Sequence, residues 1–286
     1  MSEIQAKFHP GFQKMRPYTP IEPPDQIAKR LGLPEERILK LDANENPFGL
    51  HPQLKQALVE EKYLHIYPDP AQVKLREAIA RYAKVQESQV IAGAGADELL
   101  DLLMRLFLQP GDRVLGFSPT FSYYDHVVAL NHGIYIEEPR DQDFTLDLEK
   151  IKEIDLAGIK MVILCSPNNP TGNLVEQEVV DWFLSQDLVV LVDEAYGEFS
   201  GSTQLEKLTK HENLIVLRTF SKCFALAGIR AGYGVMHESV AKELMKIKPP
   251  YSVNVAAEAL VLAALDHWEI YQEQLQEIKA SRGLHG

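Results

Sequence analysis

Between residues 89 and 235 the chain alternates short, mostly apolar runs with stretches of helical period, and this alternation constrains the fold more than any other feature. The runs are 89–92, 113–117, 134–137, 161–165, 188–192, 214–217 and 232–235. Several, such as Leu188-Val-Val-Leu-Val192, are apolar at consecutive positions, so a strand formed there must bury both of its faces. Such strands belong in a sheet covered by helices on both sides. The intervening stretches, Asp97 to Leu108 and Glu176 to Ser185 among them, supply those helices. The pattern predicts an α/β fold on a seven-stranded, mostly parallel sheet.

On the N-terminal side, residues 1–50 are rich in proline and show little sustained period, which predicts an extended arm broken by a short helix near 24–32. Helical stretches follow near 52–61 and 70–84. After Val235 the pattern is helical again, over 238–247, 254–266 and 267–280, with the breaker Lys-Pro-Pro-Tyr at 248–251. The expected organisation is an arm over 1–50, a large domain over 51–250, and over 251–286 the interdomain helices and the start of a small C-terminal domain. The last helix is rich in Gln, Glu and Lys and has little to pack against, so the expectation is that the rest of that domain is missing.

With 29 basic and 41 acidic residues the formal net charge is -12, a field that repels nucleic acid and anionic membranes. An anionic ligand must therefore be held by local donors. No apolar run reaches membrane-spanning length, and the N-terminus lacks the apolar core of a signal peptide. The two cysteines, Cys165 and Cys223, fit a reducing compartment. A cytoplasmic protein with small-molecule substrates is expected, without nucleic-acid or membrane partners and without a metal site.

In open parallel sheets, ligands bind beyond the carboxyl ends of the strands, so the loops there carry the chemistry. Gly93-Ala-Gly-Ala-Asp97 opens a helix after the first run, and exposed amides at a helix start suit a phosphate, although a plain tight turn has the same composition. The second run leads into Ser118-Pro-Thr-Phe121-Ser-Tyr-Tyr124, where an aromatic ring could cover a planar ligand or simply join the core. The fourth leads into Asn168-Asn169-Pro170-Thr-Gly172, ordinary turn residues that also offer amide donors. Asp193 follows five apolar residues, where a carboxylate needs a cation or donors unless it merely caps a helix. Lys222, in Thr219-Phe-Ser-Lys222, suits an amine nucleophile whose pKa burial and nearby cations would lower.

Taken in order, Asn-Pro-Thr-Gly at 169–172, Asp193 with Tyr196, and Thr-Phe-Ser-Lys at 219–222 followed by Arg230 resemble the fold-type I pyridoxal-phosphate aminotransferases. Leu-Asp-Ala-Asn-Glu-Asn-Pro-Phe-Gly at 41–49, Tyr-Pro-Asp at 67–69, Gly-Ala-Asp-Glu at 95–98 and Pro-Tyr-Ser-Val-Asn at 250–254 narrow the resemblance to the histidinol-phosphate aminotransferases. It runs from about Tyr18 to Lys279.

The resemblance implies pyridoxal 5'-phosphate as cofactor, a homodimer, and transamination between L-histidinol phosphate and 2-oxoglutarate. It assigns Lys222 to the covalent link with the cofactor and to proton transfer, and Asp193 to the pyridine nitrogen. Tyr196 and Asn169 would flank the ring hydroxyl, and Phe121 would stack on the ring. The Ala96 and Asp97 amides, Thr219, Ser221 and Arg230 would hold the phosphate, joined by Tyr67 from the partner subunit. Tyr18 would lie near the substrate. The chain departs from the family at Cys223, at Ser252, and after Arg230, where only Arg282 remains as an arginine and fits no carboxylate-binding motif.

Within the same cofactor class, an aromatic aminotransferase or a threonine-phosphate decarboxylase would use the same Lys, Asp and Tyr. From a different class, a catalytically weak or non-catalytic remnant that binds the cofactor or a partner chain is the rival. A nicotinamide dehydrogenase fits poorly, because Gly93-Ala-Gly95 lacks the third glycine at its spacing.

Overall fold

The structure, a computed structural model, describes residues 3–12, 15, 17 and 21–283. In the arm, helix α1 spans Pro24–Leu31. Then come α2 (Pro52–Glu60) and α3 (Val73–Ala83), β1 (Val90–Gly93) and α4 (Ala96–Phe107). They are followed by β2 (Arg113–Ser118), α5 (Tyr123–Leu130), β3 (Ile134–Pro139), α6 (Leu148–Lys152) and β4 (Ile159–Cys165). The second half of the sheet adds α7 (Gln177–Leu184), β5 (Val189–Asp193), the short α8 (Gly197–Ser200), β6 (Leu214–Thr219) and β7 (Gly232–Met236). Three helices end the described chain: α9 (Glu238–Ile247), α10 (Val255–Asp266) and α11 (Trp268–Gly283).

The strands form one seven-stranded sheet in the order β1-β7-β6-β5-β4-β2-β3. The four pairings from β6 to β3 are parallel, while β7 runs antiparallel to both β6 and β1. The predicted α/β architecture therefore stands, with β7 as the reversed strand. One boundary differs from the sequence reading for a reason that local hydrogen bonds supply. Helix α3 begins at Val73 because Asp69 takes the amides of Ala71 and Val73 on its carboxylate, which holds 69–72 as a turn. Helices α5 and α6 were not anticipated, since each is short and follows a loop rich in turn residues.

The apolar runs divide between the two faces with period two. Val162, Leu164, Val190, Val192, Leu214 and Val216 face the layer of α2, α3, α7, α10 and α11. Their neighbours Ile163, Cys165, Leu191, Ile215 and Leu217 face α4, α5 and α9. The same alternation continues past the apolar residues. Asp193 and Thr219 extend the α4/α5 face, whereas the adjacent Glu194 and Arg218 belong to the opposite one. There Arg218 pairs with Glu194 at 2.7 Å and with Glu198 of α8 at 2.8 Å, all three buried.

Candidate active site

The carboxyl ends of the parallel strands, together with the start of α4 and the arm, enclose a cavity of about 500 Å³. The chain reverses into a helix or turn after each strand there, so each loop delivers one or two side chains to a shared rim.

At one end lies the first turn of α4. Gly95 precedes it at φ 89°, a left-handed value that suits glycine. A Cβ on Gly95 would lie 2.6 Å from an Arg230 guanidinium nitrogen, and one on Gly232 would lie 2.5 Å from the Ala96 amide nitrogen. The two glycines thus let Arg230 and strand β7 approach the helix start. Arg230 pairs with the Asp97 carboxylate at 2.9 Å and donates to Ser221 Oγ at 3.4 Å and to the Ala227 carbonyl at 3.1 Å. Thr219 Oγ1 accepts from the Ser221 amide at 3.1 Å. A guanidinium, two hydroxyls and the first amides of a twelve-residue helix make a cradle for an anion.

At the middle of the sheet Asp193 is 4% exposed. Ala195 N–H donates to its Oδ1 at 2.9 Å and Tyr124 O–H to its Oδ2 at 2.7 Å. Burial pushes the carboxyl pKa up, and these two donors oppose it. The expected need for donors is met, and the capping alternative holds only locally, as the Ala195 contact. Phe121 lines the cavity and meets Tyr124 edge to face at 5.5 Å.

Lys222 reaches the same cavity from the loop after β6. Its Nζ donates to the Ala43 carbonyl at 2.7 Å and lies 5.7 Å from the Tyr196 ring centre. Burial lowers the amine pKa; Glu45 and Asp97 pull it back up, while Arg230 and Lys40 add to the lowering. Tyr196 accepts a hydrogen bond from Asn44 Nδ2 at 3.0 Å, and burial raises its phenol pKa.

The structure gathers Ala96, Asp97, Phe121, Asn169, Asp193, Tyr196, Thr219, Ser221, Lys222 and Arg230 around this one cavity. Of the two adjacent asparagines, Asn169 lines it, whereas Asn168 is buried and donates to Pro119 O and Thr171 Oγ1, holding its own loop. Tyr67 stands apart: it is 78% exposed and stacks on Tyr251 at 4.5 Å. Tyr18 lies outside the described residues. Ala43, Asn44 and Tyr124 were missed. Asn44 sits inside the motif at 41–49, but only the folded arm brings it 152 residues along the chain to Tyr196. Tyr124 read as one of several loop aromatics, with nothing in the sequence to tell its hydroxyl from that of Tyr123.

A model of the aminotransferase class I and II family matches residues 36–282. The chain is 43% identical over 287 residues to a histidinol-phosphate aminotransferase of Roseiflexus castenholzii, covering 98% of this chain and 77% of that protein. With the chloroplastic histidinol-phosphate aminotransferase of Nicotiana tabacum it shares 45% identity over 262 residues, 91% of this chain and 63% of that protein. Among solved structures, histidinol-phosphate aminotransferase from Sinorhizobium meliloti in complex with pyridoxal-5'-phosphate superposes with a TM-score of 0.87 at 27% identity. That superposition covers 97% of this chain and 76% of the other.

Proposed function

The chain belongs to the class I and II aminotransferases, and from that premise we propose that it moves an amino group between L-histidinol phosphate and 2-oxoglutarate, as a pyridoxal-phosphate-dependent homodimer. The observation that carries this reading is the sharing of one cavity by an amine of lowered basicity, a buried carboxylate and an anion cradle.

The donor set fits the cofactor. A Cβ at Gly95 would collide with the Arg230 guanidinium, so the glycine lets that cation close on the helix start, where it and the first amides of α4 suit a phosphate dianion. Asp193, with two donors on its oxygens, keeps acceptor capacity for a protonated ring nitrogen. When bound, pyridoxal phosphate supplies an aldehyde that captures the substrate amine and a ring that withdraws electrons from it.

The chain's residues then divide the remaining work. Asp193 holds a proton at the ring nitrogen. Tyr196 and Asn169 orient the ring through its hydroxyl, and Phe121 covers a ring face and excludes water. Arg230, Ser221, Thr219 and the Ala96 and Asp97 amides anchor the phosphate. Lys222 Nζ, less basic than a lysine in water, would take the proton from the substrate Cα and return it on the far side of the substrate nitrogen, the 1,3-transfer that a transamination requires. Tyr18 serves the substrate side.

Two features support the homodimer. Along the stretch 39–67, Leu39 is 81% exposed and Leu41 76% exposed, with Leu64 and Ile66 also uncovered, apolar side chains that a partner subunit would cover. Tyr67 is displayed on that stretch, where it could reach a neighbour's phosphate. The test is amino-donor profiling with 2-oxoglutarate against histidinol phosphate, phenylalanine and threonine phosphate. Glutamate formation should be fastest with histidinol phosphate. A preference for phenylalanine, or carbon dioxide release from threonine phosphate, would overturn the substrate assignment.

A further inference from the structure

Tyr124 is 1% exposed and sits in the first turn of α5, on the sheet face that also carries Cys165, Asp193 and Thr219. Its hydroxyl donates to Asp193 Oδ2 at 2.7 Å, and its ring takes the edge-to-face contact with Phe121 at 5.5 Å and 88°. One side chain thus touches both the carboxylate at the floor of the cavity and the aromatic ring of its wall. We propose that Tyr124 is a positioning residue for the reaction: it fixes the orientation of the Asp193 carboxylate and holds it ionised for the ring nitrogen. This rests on the assignment of Asp193 to that nitrogen.

The surroundings favour such a role. Asp97 of α4 works against ionisation of Asp193, Lys222 from the loop after β6 works for it, and burial outweighs either. Cys165 at the end of β4 also faces the group, its thiol pushed up by burial to about 12 and hence neutral. Tyr196, from the same loop as Asp193, is likewise held neutral by burial. The Ala195 amide grips only Oδ1, so the Tyr124 hydroxyl is the donor that fixes the second oxygen. Two donors on opposite oxygens fix a carboxylate plane; one leaves it free to rotate. A hydrogen bond to the charged form lowers a carboxyl pKa, so its removal must raise it.

The test is the affinity of the apoprotein for pyridoxal phosphate, followed by cofactor absorbance between pH 4.5 and 8. Wild type, Tyr124→Phe, a variant with 3-fluorotyrosine at position 124, and Asp193→Asn are compared. Wild-type affinity should fall on the acid side as Asp193 takes a proton. In Tyr124→Phe that fall should move up by about one to two pH units, the scale of one hydrogen bond to a charged group. The more acidic fluorinated phenol, a stronger donor of nearly the same size, should move it down. Asp193→Asn should lose the part of the fall that belongs to Asp193 and keep only the part that comes from the cofactor's own phosphate taking a proton.

If Asp193→Asn keeps the fall unchanged, the Asp193 assignment is wrong and this proposal goes with it. If Asp193→Asn loses the Asp193 part of the fall but Tyr124→Phe only loosens binding equally at every pH, Tyr124 is packing alone and the proposal is overturned while the Asp193 assignment survives. Should Tyr124→Phe not fold, the fluorinated variant decides, and an unmoved fall overturns the proposal.

Discussion

Asn44 Nδ2 donates to the phenol oxygen of Tyr196 at 3.0 Å, so the N-terminal arm completes the wall that faces Lys222. The contact leaves the Tyr196 proton free to be donated elsewhere, which is what a phenol oriented towards a ring oxygen requires. Asn44 holds a left-handed φ of 51°, a conformation asparagine tolerates better than most residues. Asn44→Ala should weaken pyridoxal phosphate binding about three- to tenfold, the scale of one neutral hydrogen bond. It should also raise the Tyr196 pKa, because Asn44 opposes the effect of burial there. Equilibrium titration with the cofactor and ultraviolet difference spectra of phenol ionisation check the two effects separately.

Lys222→Ala should retain the fold and bind the cofactor without fixing it. Incubation with pyridoxal phosphate and borohydride, followed by mass measurement of the intact chain, should show a stable adduct on the wild type only. An adduct of the same yield on the variant would remove Lys222 from its role.

Gly95→Ala should harm the anion cradle. The new Cβ meets the Arg230 guanidinium at 2.6 Å, and the backbone at φ 89°, ψ 166° is strained for any residue with a side chain, at a cost of about 1–3 kcal/mol. The expected result is a lower Tm and a loss of roughly tenfold in the affinity for inorganic phosphate, measured by its competition with pyridoxal phosphate. Unchanged competition would place the phosphate elsewhere.

Arg218→Met should destabilise the fold without touching the cavity. The substitution leaves Glu194 and Glu198 buried without their cation, a change worth about 3–5 kcal/mol in comparable buried pairs. Burial already raises the Glu194 pKa, and Arg218 is the group that opposes it most. With Arg218 gone the folded-state pKa rises further above the unfolded value. The variant is then at its best below the unfolded pKa and loses stability as pH rises through the folded one. Urea unfolding of both proteins across pH 5–8 should show the gap between them widening with pH.

How much of this was legible in the sequence follows from the range of the interactions. The strands were readable because burial on both faces demands consecutive apolar residues, and Leu188 to Val192 satisfies that demand within five positions. The residues at the strand ends, Asp193, Thr219, Ser221 and Lys222, were readable for the same reason: a polar group directly after an apolar strand has its position set by the strand. The sequence also determined which face each side chain takes, since alternation along β5 and β6 sends Asp193 and Thr219 one way and Glu194 and Arg218 the other. Tertiary structure alone decided the partners. Tyr124 meets Asp193 across 69 positions, Lys222 meets the Ala43 carbonyl across 179, and Asn44 meets Tyr196 across 152. No local period encodes such pairs, because they depend on how helix α5 packs on one face of the sheet and how the arm lies over the carboxyl ends of its central strands, and that packing is fixed by the summed burial of the whole core rather than by any neighbouring residue.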